Sequence, residues 1–309
     1  MKISILGTGA MGSLFAAALA ADPSNDVLCI TYSSEHSDCI NEKGITIHEK
    51  DGSMTHIDNI RAVTDTSDER PADLVIVLVK SYSTNQAVKT HSEIFGPDTT
   101  VLTLQNGYGN HVPLLEFADE SQILLGTTAH GMNIRNTGEI IHAGSGITTI
   151  GTLKPDSIPA QKRLNKTKNL LEKAGFRTSI STDVLDAIFR KLFVNTSINA
   201  LCALNDKPNK YIVKDPDMNR QSRRLVDEAV RTVNLLGRSY DPDIIIADAH
   251  HVAELTGDNI CSMLADVRRH RPTEIRAING AIVSMAEKAG FDAPLNRAIV
   301  SEVENRFPY

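Results

Sequence analysis

Lys191, Asn195 and Asn199 stand four residues apart in a segment otherwise dominated by Ile188, Leu192, Phe193, Val194, Ile198 and Leu201. On a helix that spacing stacks the three polar residues along one face. Asparagine is a poor helix former, and an ammonium among apolar neighbours is costly without a partner or a task. A solvated stripe would carry more charge and a broader polar face. The stripe therefore reads as facing a cleft. An amine there can stabilise negative charge on a substrate oxygen and donate a proton to it. Asn259 and Ser262 are three apart, which places them on one face of a second helix. Pro272-Thr273-Glu274-Ile275 reads as a helix start with an acid in its first turn. Glu274 is then either a dipole-stabilising acid or a substrate-facing carboxylate. Arg268-Arg269-His270-Arg271 reads as a solvated helix end, and His130, His142 and the pair His250-His251 have no partner that the sequence assigns.

A second chemistry lies at the N-terminus. Gly7-Thr8-Gly9-Ala10-Met11-Gly12 is a GxGxxG run between an apolar strand and an alanine-rich helix. In that setting each glycine has a role in holding a dinucleotide: Gly7 for the tight turn, Gly9 for close approach to a pyrophosphate, Gly12 for packing of helix on sheet. The free N–H groups and dipole of the helix start favour the phosphates. The residue that selects between the two nicotinamide cofactors is expected about 20 residues on, at Tyr32, Ser33 and Ser34. Neither an acid for a ribose hydroxyl nor an Arg for a 2′-phosphate stands there. The missing acid tilts the reading towards NADPH, and the serine hydroxyls are either phosphate donors or ordinary turn residues. Lys80 and Asn106 each follow an apolar strand, and ligands of open α/β sheets bind outside such strand ends.

These groups need elements to hold them. Strands are expected at residues 2–6, 27–32, 74–79, 101–104 and 123–126, with helices at 11–21, 37–43, 84–91 and 110–117 between them. Residues 74–79 are six apolar residues in a row, the mark of a strand covered on both faces. Asp51-Gly52 marks a hairpin between 44–49 and 53–57. The alternation is that of a doubly wound, mainly parallel sheet. Past Gly151 the pattern becomes helical, with candidates at 161–174, 183–204, 218–236, 243–255 and 272–289. The fold class is therefore α/β: a Rossmann-type dinucleotide-binding domain over 1–158, then an all-helical substrate and catalytic domain over 159–309.

Composition bounds the rest. The 309 residues are 41% hydrophobic and 23% charged with a net charge of −6, which excludes a disordered chain and a coiled-coil rod. There is no basic field for nucleic acid, and aromatics at 5% without Trp offer no base-stacking surface. Cys29, Cys39, Cys202 and Cys261 form no CxxC pair, and no histidine cluster has metal-ligand spacing, so no metal is expected. No apolar run approaches the ~18 residues of a membrane span. A cytoplasmic chain acting on a small molecule follows, as a monomer or homodimer.

Together these residues resemble the ketopantoate reductase (2-dehydropantoate 2-reductase) family, from Lys2 to about Arg297. The resemblance rests on the glycine run, Val79-Lys80, Gln105-Asn106-Gly107, Arg190-Lys191-Leu192 with Asn195 and Asn199, the stretch 259–266, Thr273-Glu274-Ile275 and Ile278-Asn279-Gly280. It implies NADPH-dependent reduction of ketopantoate to pantoate, on the route to pantothenate and coenzyme A. It implies that Lys191 is the general acid, and that Asn195, Asn199, Asn259, Ser262 and Glu274 contact substrate in a cleft between the domains. Lys80 and Asn106 match positions near the nicotinamide. In one departure, Tyr32 stands where the family carries an Arg over the 2′-phosphate, so NADH is not excluded. Two alternatives stand beside this reading: a dehydrogenase of another 2-keto or β-hydroxy acid, and a non-catalytic dinucleotide sensor.

Overall fold

Ile3, Ser4, Ile5 and Leu6 are all buried, so β1 (Lys2–Leu6) is a strand covered on both faces. The structure, a computed structural model, describes residues 1–308. From β1 the chain turns into α1 (Ala10–Ala20), whose Leu14, Phe15 and Leu19 are buried. β2 (Asp26–Ile30) and α2 (Ser34–Lys43) follow. The expected hairpin forms as β3 (Ile45–Glu49) and β4 (Met54–Ile57), with Gly52 at positive φ in its turn. Next come β5 (Arg61–Val63), β6 (Leu74–Val77), α3 (Thr84–Thr90), β7 (Thr100–Thr103) and β8 (Ile123–Thr128). The helix expected at 110–117 is only a 3-10 turn, Val112–Glu116, entered through Pro113. A second hairpin, β9 (Gly131–Asn136) and β10 (Glu139–Gly144), precedes β11 (Thr148–Thr152), α4 (Ile158–Lys173) and β12 (Thr178–Ile180).

The main sheet has the order β12-β11-β8-β7-β6-β1-β2-β5. Its pairs are parallel except β8 with β11. Strand order reverses beside β1: the chain first builds outward through β2, then restarts at β6 on the other side. Such a reversal opens a crevice at the carboxyl ends of the strands. The smaller sheet, β4-β3-β10-β9, joins β3 to β10 in parallel across about ninety residues of sequence. Ile3, Ile5, Phe15, Leu19, Ile76 and Leu102 belong to one buried cluster. Each such side chain contributes about 2 kcal/mol on burial.

The chain divides into two compact units, Met1–Gln105 with Asn110–Ala187, and Asn106–Gly109 with the chain from Ile188 onward. The division expected at 158/159 therefore falls later, and the reason is pairing. β12 adds to β11, with Thr148 opposite Thr178, and Phe176 stacks on Phe15 at 4.2 Å between ring centroids. The second unit is helical, as the change of pattern predicts. It contains α5 (Val184–Asn205) beyond Ala187, then α6 (Tyr211–Lys214), α7 (Pro216–Leu235), α8 (Pro242–Leu255), α9 (Ser262–Arg268), α10 (Asn279–Lys288) and α11 (Pro294–Arg306). α7 shows how these helices are specified. Asp215 caps its start by accepting from the N–H groups of Asp217 and Met218, Pro216 opens it, and Leu225, Val226, Ala229, Val230 and Val233 form its buried stripe. α7 packs on α8, α10 and α11.

Candidate active site

The glycine run makes the connection from β1 to α1 at the strand-order reversal. Gly7 has φ +102°, a conformation that favours glycine, and a Cβ there would lie 2.4 Å from Val79 N. A Cβ on Gly12 would lie 2.2 Å from Gly7 O. A Cβ on Gly9 would meet nothing within 4 Å. Gly7 and Gly12 are thus demanded by the protein's own packing. Gly9 is not, and the space beside it suits a phosphate. The backbone N–H groups of Gly7 and Thr8 donate to Ile30 O, as does the Thr8 hydroxyl at 3.2 Å, which ties the turn to the end of β2. Gly9 is the N-cap of α1 and makes no side-chain cap, and the first turn, from Ala10 and Met11, holds no acid. Those are the conditions for an anion at a helix start. Lys80 directly follows Val79, whose backbone lies against Gly7, just past the end of β6, the strand that pairs with β1. Gln105 Nε2 donates to Val79 O at 2.8 Å and holds this strand end.

At the end of β2, Tyr32 is fully exposed. Ser33 is the N-cap of α2, its hydroxyl accepting from His36 N–H at 3.4 Å. That gives the ordinary turn role one of the two readings allowed for Ser33. Glu35 follows in the first turn of α2. An acid therefore does stand near the strand end, one residue beyond the window of Tyr32 to Ser34.

In the second unit Lys191, Asn195 and Asn199 lie on α5 as their spacing predicts. Lys191 and Asn195 are half-buried and Asn199 is buried. Removal of water pulls the Lys191 ammonium down to about 8, partly opposed by the negative charge of Glu274. Asn199 Nδ2 is buried with no hydrogen-bond partner among the described residues. A buried donor without an acceptor is costly.

Glu274 corrects an expectation. The helix start read at Pro272 is not one: residues 271–274 are irregular, 275–278 form a turn and α10 begins at Asn279. Glu274 therefore stabilises no helix dipole. It is 6% exposed and close enough to Lys191 to raise that amine's pKa. Asn259 and Ser262 do not share a helical face either, because α9 starts at Ser262 and Asn259 lies in the preceding loop. Both are exposed. The loop is anchored by Asn209 N–H donating to Asn259 O at 3.1 Å. Cys261, between them, is the N-cap of α9 and donates to Asn199 O at 3.6 Å, which brings this segment onto α5. Asn106 is half-buried and belongs to the second unit. Its neighbour Gly107 has φ +89° with a Cβ position 2.2 Å from Ala277 O, and Tyr108 N–H donates to that same carbonyl at 2.9 Å.

The histidines have partners that sequence could not supply. His130 Nδ1 lies 2.9 Å from His142 Nε2, and His142 Nδ1 lies 3.0 Å from Glu49. The β3–β10 pairing assembles this trio. His250 Nε2 lies 2.9 Å from Ser222 Oγ, which in turn lies 2.7 Å from Ser197 Oγ, a buried chain linking α8, α7 and α5. Among the described residues no group of three His, Cys, Asp or Glu could hold a metal ion, and no helix is long and apolar enough to cross a membrane.

Comparison with known proteins covers nearly the whole chain. Residues 3–155 match the family described as ketopantoate reductase PanE/ApbA, and residues 183–306 match its C-terminal part. The 2-dehydropantoate 2-reductase of Halobacterium salinarum is 32% identical over 303 residues, 98% of each chain. That of Pyrococcus abyssi is 34% identical over 298 residues, 96% of this chain and 94% of the relative. A solved D-mandelate dehydrogenase, in ternary complex with NADH and anilino(oxo)acetate, is 27% identical with a TM-score of 0.93, covering 100% of this chain and 99% of its own. The chain is an oxidoreductase and belongs to the ketopantoate reductase family.

Proposed function

We propose that this chain reduces ketopantoate to pantoate with NADPH, a step towards pantothenate and coenzyme A. The observation that carries the reading is the Lys191 ammonium, desolvated on α5 with Glu274 beside it. When bound, the nicotinamide supplies a hydride to C2 of the keto acid. Lys191 donates its proton to the carbonyl oxygen as negative charge grows there, so that ketopantoate, NADPH and one proton become pantoate and NADP⁺. An amine with a pKa of about 8 is charged at neutral pH and still gives up its proton readily. Asn195 and Asn199 orient the substrate through their amides. Glu274 accepts from a substrate hydroxyl, and Asn259 and Ser262 donate to the carboxylate and nearby oxygens. The residues of the turn, Gly7, Thr8, Gly9, Ala10, Met11 and Gly12, hold the pyrophosphate with backbone N–H groups, while Ser33, Lys80 and Asn106 serve the rest of the cofactor.

A second reading has its own support. Glu35, at the start of α2 beside the exposed Tyr32, would repel a 2′-phosphate, and the D-mandelate dehydrogenase is a complex with NADH. This reading makes the chain an NADH-dependent reductase of a different 2-keto acid. Steady-state reduction of ketopantoate and of the 2-keto acid corresponding to mandelate, each with NADPH and with NADH, decides between them. The first reading predicts the highest kcat/KM for ketopantoate with NADPH. Preference for NADH by more than tenfold contradicts its cofactor half, and preference for the aromatic acid its substrate half. Absence of turnover on any keto acid would favour the sensor.

A further inference from the structure

The four cysteines are free, but two of them are neighbours. Cys202 lies on α5 three residues after Asn199, on the same helical face. Cys261 Sγ donates to Asn199 O at 3.6 Å and accepts from Leu264 N–H at 3.4 Å. That places its sulfur against the turn of α5 that carries Cys202, and each thiol shifts the acidity of the other. Cys29 and Cys39 lie in the first unit, Cys29 wholly buried and Cys39 donating to Thr137 O. Among the described residues the pair 202/261 is thus set apart. Their acidities also diverge. The Cys202 thiol and the backbone N–H groups of Leu264 and Met263 hold Cys261 below the ordinary thiol range, while Cys202 is pushed up. Cys261 is 7% exposed, between the exposed Ile260 and Ser262, and Cys202 is wholly buried, so of the two an oxidant meets Cys261 first.

The geometry points to a reversible disulfide between Cys202 and Cys261, formed by a small hydroperoxide, that pins the Asn259–Ser262 segment to α5. The Cys261 thiolate attacks a peroxide oxygen; the O–O bond breaks, and the departing hydroxide takes a proton to leave as water. The resulting sulfenic acid is attacked by the Cys202 sulfur. The S–S bond forms, the S–O bond breaks, and a second water carries away the Cys202 proton. The two cysteines lose two electrons and the peroxide gains them. An external dithiol reverses the bond by exchange. The consequence for turnover rests on the proposed substrate role of Asn259, Ser262 and Asn199, whereas the bond itself does not.

The test uses the full-length protein with one to two equivalents of hydrogen peroxide, followed by alkylation in denaturant. The expected result is loss of two of four free thiols, a non-reduced peptide linking Cys202 to Cys261, and full alkylation of Cys29 and Cys39. Cys202→Ala should leave Cys261 alkylatable only after reduction of its sulfenic acid, without the linked peptide, and Cys261→Ala should slow thiol loss at Cys202 at least tenfold. Four alkylated thiols after treatment, or sulfinic acid at Cys261 with Cys202 still free, would overturn the proposal. For the functional half, KM for the keto acid should change several-fold on oxidation and return with dithiothreitol. An unchanged KM in fully linked protein refutes the pinning. Absence of turnover in the reduced protein instead refutes the reading of function and leaves the bond standing.

Discussion

The glycine turn of the first unit and the lysine–asparagine face of the second prepare for a ligand in opposite ways. The turn offers space and backbone: Gly9 is bordered by nothing within 4 Å, and the start of α1 lacks a side-chain cap. The α5 face offers side chains held at a cost: an amine pulled down to about 8 and a buried amide nitrogen without a partner among the described residues. Shape carries the first, and charge carries the second. The first is therefore insensitive to pH and vulnerable to an added side chain, whereas the second depends on the charge of one amine.

The largest effect is expected at Lys191. Lys191→Met should lower kcat by roughly 10²–10⁴-fold, the range for loss of a general acid, with cofactor affinity little changed. Stability should move the other way. The native pKa of about 8 lies below the ordinary lysine value of 10.5, so the charged form costs about 3 kcal/mol in the fold. That cost is full below about pH 8 and is relieved as the pH rises towards 10.5. The variant should melt higher than wild type at pH 7, and the gap should close by about pH 10.5. Equal kcat within threefold in a folded variant would remove Lys191 from the mechanism.

Glu274→Ala comes next. A buried carboxylate that accepts from a substrate hydroxyl is worth ~10–100-fold, so reduction of ketopantoate should fall by that factor. Reduction of a 2-keto acid without the hydroxyl should fall far less. Equal losses on both substrates would mean that Glu274 acts only through the charge it places beside Lys191.

Gly9→Val sharpens the contrast from the other side. With open space around its Cβ position the protein should fold and melt as wild type, yet bind the dinucleotide about tenfold more weakly, read by fluorescence titration. Unchanged affinity would show that the open space at Gly9 is not where the phosphates lie.

The smallest effect is expected at the end of β2. Tyr32→Arg should lower the KM for NADPH about three- to fivefold and that for NADH hardly at all, because a charge-assisted pair to phosphate is gained while Glu35 still opposes it. An equal change for both cofactors would place Tyr32 away from the 2′-phosphate.

The same contrast governs how much could be read from sequence. The turn and its flanking strand and helix are local, within residues 2–20, and are as expected. So is the β3–β4 hairpin, whose Asp51-Gly52 turn is a short-range signal. The β9–β10 hairpin is less legible: its only local mark is Gly138 in the turn, and β10 is also secured by pairing with β3, a long-range contact. The start of α11 is hidden for the same reason: its Leu295 and Asn296 N–H groups are capped by Glu228, a residue of α7. In the site, the spacing of Lys191, Asn195 and Asn199 was legible because one helix carries all three. Glu274 was visible with two readings left open, since its burial depends on an irregular segment without periodicity.

The most direct test of the proton-donor assignment is the pH dependence of kcat for keto acid reduction from pH 6 to 10. Lys191 must be protonated to act, so the account predicts a plateau below about pH 8 and a tenfold fall per pH unit above it. Glu274→Gln should move the break to lower pH, because the charge that raises the amine's pKa is gone. A profile flat through pH 9.5, or a break unmoved in Glu274→Gln, would contradict it.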